Sequence, residues 1–294
     1  MFAFLLFGAF LFTNCKTENS NPTNNAPTRE ITDDLGRRVE IPEQVSRTVS
    51  LAPNLTEIVF AVGAGDRLVG VTTYCDFPEE AKLIQKIGDT INPNVENIIA
   101  LKPDVVLVST ASQIETFTKT LEQRGIRVFV SDPNNLEGIY KTIYQTGEIF
   151  GTSERAYELV DDLKRRVADV EARTATAQDV KVFLQISKEP LFTAGADSFL
   201  TDLVNRAGGA SVTAAVATKY PRVSKETALA YNPDAIILSG SEDNDAPNDV
   251  FKNSAAVKNK RVFSIDANLL SRPGPRVVDG LEQMAKALHP ESFQ

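Results

Sequence analysis

The side chains able to do covalent chemistry are few: one histidine, His289, and two cysteines, Cys15 and Cys75, in 294 residues. A nucleophilic hydrolase needs a base beside its nucleophile, most often an imidazole. His289 lies in "ALHPESFQ", at the end of a helical pattern, where a surface position is expected. Cys75, in "TYCDFP", is the one candidate nucleophile; with no base in view it is expected to be a small buried side chain. H-E-x-x-H cannot be built with one histidine, and no G-x-x-x-x-G-K-[ST] phosphate loop occurs. "GAGDRLVG" has Leu68 where the third glycine of a dinucleotide fingerprint belongs, and it follows a helix instead of a strand.

What remains is a pair of carboxylates in matched surroundings. "VENIIALKPDVVLVST" (95–110) and "KETALAYNPDAIILSG" (225–240) each carry a Glu, Glu96 or Glu226, seven residues before a Pro-Asp, and then an apolar run. Asn94 and Ser224 are N-caps by type and place, which puts both Glu in a first helical turn. There a carboxylate gains about 0.3–1 kcal/mol from the helix dipole. That preference accounts for either Glu alone. Two at matched positions suit docking onto the positive points of a two-fold partner.

The frame that positions them is an alternation of strands and helices. "ITDDLGRRVEIP" reads as two short strands around Gly36, and "RTVSLAP" as a strand. "NLTEIVFAVGAG" reads as a helix with Asn54 at the N-cap and Glu57 at N3, a capping box. The strand "RLVGVT", helix 95–101, strand 104–109, helix 112–124 and strand 126–130 follow, predicting a parallel sheet covered on both faces. Residues 152–175 contain no Gly or Pro and place Ala156, Leu159, Val160, Leu163, Val167 and Val170 on one face, predicting a single helix roughly 35 Å long. The alternation then restarts: strand "VKVFLQI", helices 198–207 and 224–231, strand 235–239, strand "RVFSID" and helix 276–288. The expected division is an N-terminal α/β lobe over 29–150, a bridging helix over 151–176 and a C-terminal α/β lobe over 177–294. One long helix between lobes is a stiff joint, so binding is expected to change the overall shape little.

Composition narrows the function classes. The formal charge of −8 disfavours nucleic acid, and 42% hydrophobic with 24% charged residues is ordinary for a globular chain. "MFAFLLFGAFLFTNC" is an apolar run ending at Cys15, shorter than the ~20 residues a bilayer span needs and suited to a secretory signal. Residues 1–15 are therefore expected to be a signal peptide with a lipidation cysteine; the alternative is a leader with an incidental Cys15. The polar "KTENSNPTNNAPT" (16–28) is expected to be a flexible tether beside a membrane.

Six segments carry a family resemblance: "DLGRRVEIP", "SLAPNLTEIVFAVGAGDRLVGVTTYCDFP", "NPNVENIIALKPDVVL", "VFLQISKEPLFTAG", "YPRVSKETALAYNPDAIIL" and "SRPGPRVVDGLEQMAKALHP". From about residue 29 to 289 the chain resembles the substrate-binding proteins of vitamin B12 ABC importers, within a wider group that also binds haem and ferric siderophores. The resemblance implies two Rossmann-like α/β lobes joined by one long helix, with a ligand cleft between them. It implies cleft contacts from Tyr74, Phe192, Tyr220, Asn268 and Arg272, and docking of Glu96 and Glu226 onto arginines of a permease dimer that works with ATPase subunits. The implied ligand is a cobalt corrinoid such as cobalamin, with haem or a ferric siderophore as alternatives. No catalysis, resident metal or cofactor is implied. The chain has no Trp; Tyr220 stands where a cleft Trp is expected, Thr90 and Ser109 give small polar walls, and Tyr74 or Tyr220 could give haem an axial oxygen. The expected protein is a monomer outside the inner membrane, periplasmic or on the cell surface, held by its lipid alone. An extracytoplasmic enzyme using Cys75 and a sensor or adhesion module are the competing classes.

Overall fold

The structure, a computed structural model, describes residues 27–109 and 114–294. Cys15, the signal expected over 1–15, nearly all of the expected tether and residues 112–113 of an expected helix lie outside the described residues. Strands β1 (Thr28–Thr32) and β2 (Arg38–Pro42) form an antiparallel hairpin. Its turn is held by Asp33, whose carboxylate accepts from the backbone N–H of Leu35 and Arg37 and from the Arg37 guanidinium. Gly36 supplies the left-handed residue, at φ +74°.

The first lobe continues with β3 (Thr48–Ser50), α1 (Pro53–Ala61), β4 (Leu68–Val71), α2 (Val95–Ala100), β5 (Val105–Ser109), α3 (Ile114–Glu122), β6 (Val128–Ser131) and α4 (Leu136–Phe150). Helix α5 (Ser153–Thr174) leads to the second lobe: β7 (Val180–Ser187), β8 (Phe192–Thr193), α6 (Phe199–Arg206), β9 (Gly209–Ser211), α7 (Lys225–Tyr231), β10 (Ala235–Gly240), α8 (Ala255–Lys258), β11 (Val262–Asp266), α9 (Ala267–Leu270) and α10 (Val277–Leu288). The parallel strands lie in the order β4-β3-β5-β6 in one lobe and β9-β7-β10-β11 in the other, with β8 antiparallel to the end of β7. Counted along the chain within each lobe, both orders are second-first-third-fourth. The two lobes share one topology.

That shared order explains why the sequence repeats itself. The helix before the third strand is α2 in one lobe and α7 in the other, and each is capped as expected, by Asn94 accepting from Asn97 N–H and by Ser224 accepting from Thr227 N–H. Each helix gives way to a left-handed residue, Lys102 at φ 46° and Asn232 at φ 38°. The following aspartates then pin the third strand to the start of the first. Asp104 accepts from the N–H of Ser46 (2.8 Å) and Arg47 (2.9 Å), and Asp234 from that of Lys181 (3.1 Å). The Pro-Asp half of the repeat is thus a strand clamp, while Glu96 and Glu226 stay exposed. Asp104→Ala should lower the unfolding free energy in urea by about 1–3 kcal/mol. Asp234→Ala, which frees one backbone N–H, should cost less.

Besides the short elements β8, β9, α8 and α9, for which the sequence reading gives nothing, three features depart from the sequence expectation. Helix α1 starts at Pro53 with Ala52 as its N-cap, so Asn54 caps nothing and no capping box forms with Glu57. Proline has a fixed φ suited to the first helical position and no N–H to satisfy there, which moves the start forward. Helix α4, for which the sequence reading gives no element, runs from the Asn135 cap to the left-handed Gly151. His289 is buried, not on the surface: it is 2% exposed with Nε2 3.0 Å from the Gly208 carbonyl, because the end of α10 closes over the turn into β9.

Helix α5 buries Ala156, Val160, Leu163, Val167 and Val170 as its pattern predicts. It packs on α4 from one side and α10 from the other. These side chains belong to one apolar core that runs from Ile41 and Ile58 through α4 and α5 to Leu203, Leu281 and Met284. Smaller cores fill the other face of each sheet, around Ile98 and Val106 in one lobe and Phe183 and Ile236 in the other. Among the described residues no helix is long and apolar enough to cross a membrane.

Candidate functional site

In open parallel sheets the crevice for a ligand lies beyond the carboxyl ends of the strands, where the strand order reverses. Both lobes meet that rule at the same place. A cleft of about 390 Å³ is lined by Ser109, the last residue of β5, by Asp132 and Pro133 just beyond β6, by Ile186 near the end of β7 and by Ser239 near the end of β10. Phe199, Leu200, Lys219, Tyr220, Leu270, Ser271 and Pro273 complete it from the second lobe.

The segment carrying Lys219 and Tyr220 is held by backbone pairing. Thr193 N–H donates to Pro221 O (3.1 Å), Gly195 N–H to Lys219 O (3.0 Å) and Ala196 N–H to Val216 O (2.7 Å). A Cβ on Gly195 would sit 2.1 Å from the Thr218 carbonyl, so only glycine permits this approach. Lys219 Nζ reaches across the cleft to Asp132 Oδ1 at 2.8 Å. Asp132 in turn is fixed by its own N–H, which donates to Asp34 Oδ2 at 2.8 Å. Tyr220 is 42% exposed overall, and the partial burial that remains pushes its phenol above the ordinary pKa; a hydrogen bond with Ser198 pulls it down and the Asp132 charge pushes it up. Tyr220 therefore stays a neutral hydrogen-bonding aromatic at neutral pH.

A second contact between the lobes adjoins the cleft. Glu57, on α1 and 3% exposed, accepts from Arg272 (3.0 Å) and, through both oxygens, from Arg276 (2.6 and 2.8 Å). Arg272 also donates to Asp76 (2.6 Å), holding that carboxyl below its ordinary range, and to the Tyr74 carbonyl (3.4 Å). The Arg276 guanidinium lies 4.0 Å over the Phe77 ring, and Asn54 donates to the Pro273 carbonyl at 3.3 Å. Two cations from the second lobe thus meet two anions from the first.

Of the residues that the family resemblance points to, Tyr220 lines the cleft and Ser109 is one of its polar walls. Arg272 sits between the cleft residues Ser271 and Pro273, with its guanidinium turned to Glu57 and Asp76. Tyr74 is 57% exposed beside that cluster, outside the cavity wall. Phe192 is half-buried in β8, bridged to Arg222. Asn268 lies in α9, its N–H bonded to Asp266. Neither of these two, nor Thr90, lines the cavity. Cys75 is buried, its sulfur 3.2 Å from the hydroxyls of Thr56 and Thr72.

Sequence reasoning missed Asp132, Lys219, Glu57 and Arg276 as site residues. Asp132 carried a usable signal, since it stands two residues past a predicted strand of a parallel sheet. Lys219 carried none: its place depends on a ribbon of backbone bonds that no local pattern encodes.

Comparison with known proteins adds three findings. The periplasmic binding protein family matches residues 49–269. An uncharacterised ABC transporter substrate-binding lipoprotein of Bacillus subtilis, YvrC, is 33% identical over 309 aligned residues, covering 100% of this chain and 98% of its own. Among solved structures, the periplasmic vitamin B12 binding protein BtuF of Vibrio cholerae aligns with a TM-score of 0.74 at 28% identity, over 86% of this chain and 100% of that one. A periplasmic heme binding protein from Pseudomonas aeruginosa gives 0.73 at 27%, over 84% and 93%.

Proposed function

The chain belongs to the periplasmic binding protein family, and we propose that it is the substrate-binding component of an ABC importer that captures a corrinoid such as cobalamin and hands it to the permease. Support comes first from the cleft, which two lobes of one topology present at the carboxyl ends of both sheets. Its walls mix apolar side chains with a few hydroxyls and the Asp132–Lys219 pair, a composition that suits a large organic ligand.

The Tyr220 ring, 42% exposed and lining the cleft, offers a corrinoid a face to pack against. A corrinoid brings its own axial ligands and asks the protein only for packing and hydrogen bonds. Haem is the second reading, with the exposed Tyr74 as the phenol that could reach its iron. Glu96 and Glu226, exposed on equivalent helices of the two lobes, would meet the permease dimer and its ATPase subunits from outside the inner membrane. A lipid on Cys15 would keep the carrier at the surface, in keeping with the lipoprotein that it resembles.

Incubation of the purified chain with cobalamin, haemin and a ferric siderophore, followed by gel filtration and absorbance, tests this. The corrinoid should co-elute at one per chain. Tyr220→Ala should then weaken binding by about 1–3 kcal/mol, roughly 5- to 150-fold in Kd. Retention of haem or siderophore without corrinoid would overturn the ligand and leave the transporter class standing.

A further inference from the structure

We propose that the Asp132–Lys219 pair makes the cleft select a charge-neutral macrocycle over one that carries carboxylates, a proposal that rests on reading the chain as a macrocycle carrier. Among the described residues, Asp132 and Lys219 are the charged side chains that line the cleft, one from each lobe, and they pair at 2.8 Å. The adjoining arginines add no surplus charge, because Arg272 and Arg276 are matched by Glu57 and Asp76.

A ligand carboxylate can recruit Lys219 only by displacing Asp132. The backbone of that aspartate is held by Asp34, itself paired with Lys141 at 2.7 Å, so its short side chain stays near the cleft wall in any rotamer. It would stay at the cleft facing the incoming anion, partly shielded from water, so the new pair would form at the expense of an old one and against a like charge. A primary amide meets neither penalty. Its N–H₂ can donate to Asp132 and its oxygen can accept from Lys219 with the pair intact. Selectivity here comes from the repulsive member, Asp132, and not from a gain in attraction. Amide-fringed corrinoids pass this filter, and porphyrins with free propionates fail it.

The test titrates the full chain, followed by absorbance, with three probes: cyanocobalamin, ferric protoporphyrin as the diacid and the same ring as its dimethyl ester. Wild type should bind the ester at least tenfold more tightly than the diacid. Asp132→Asn, which leaves Lys219 uncompensated, should tighten the diacid at least tenfold and leave the ester within about threefold. Lys219→Met should weaken the diacid further, and a melting curve on each variant confirms folding. Equal binding of diacid and ester by wild type, or diacid affinity unmoved in a folded Asp132→Asn protein, would overturn the proposal. Discrimination between diacid and ester without any cobalamin binding would uphold the filter and refute the corrinoid reading. Binding of no macrocycle at all would overturn both.

Discussion

Glu57→Ala should lower the unfolding free energy by about 3–5 kcal/mol, the cost of stranding buried charge when one partner of a desolvated ion pair is removed. The size follows from burial. The Glu57 side chain is 2% exposed and those of Arg272 and Arg276 are 10% and 21% exposed, so its loss leaves Arg276 without its acid and Arg272 with Asp76 alone, both poorly solvated. Surface pairs behave differently and are worth about 0–1 kcal/mol; Lys82–Glu79, with side chains 50% and 83% exposed, is such a pair in this molecule. Urea denaturation followed by circular dichroism measures the difference. Glu57→Gln keeps the shape and one acceptor and should fall between Ala and wild type. A loss under about 1 kcal/mol for Ala would mean that the cluster is solvated and does not tie the lobes together.

Uptake should fall to background when Glu96 and Glu226 are both replaced by Ala, while ligand affinity stays within about twofold. Neither carboxylate touches the cleft, and both stand exposed in first turns of equivalent helices. Folding should suffer little, because each change removes a helix-end interaction of about 0.3–1 kcal/mol. Single replacements should impair uptake less than the double, and reversal to Lys more, through like-charge repulsion against a basic partner. Cells that carry the protein and its permease, fed labelled corrinoid, give the readout. Normal uptake with a well-folded double variant would reduce both Glu to helix-start residues.

The periodicities carried most of the fold. The apolar stripe of 153–174 is visible in the sequence because a long helix buries one face, and the hairpin because Gly36 and the alternation of Ile31, Val39 and Ile41 mark it. Helix α4 was missed even though it buries Ile139, Tyr140, Ile143 and Ile149, since its threonines and glycines interrupt a simple pattern. The repeat was legible as a repeat, and its Pro-Asp was not legible as a strand clamp, because the N–H groups it holds are some 50 residues away. The same distance in sequence hid the cleft's charges. Asp132 meets Lys219 across 87 positions and Glu57 meets Arg276 across 219, contacts that follow from how two lobes face each other and not from any local preference.

The core shared across α5 turns the parting of the lobes into a question of elasticity. Sheets with separate cores, joined by slack chain, would swing apart at almost no cost and hold a cargo only by its own adhesion. Here the joint is a packed spring: pulling the lobes apart distorts side chains on α4, α5 and α10 together, and the spring pushes back. A loaded protein alone in solution should therefore let its cargo go slowly, at a rate set by rare spontaneous flexing. Fast unloading calls for an external machine that grips the molecule at two separated points and does work against that stiffness. Two acidic handles, one on each side of the spring, are where such a grip would act.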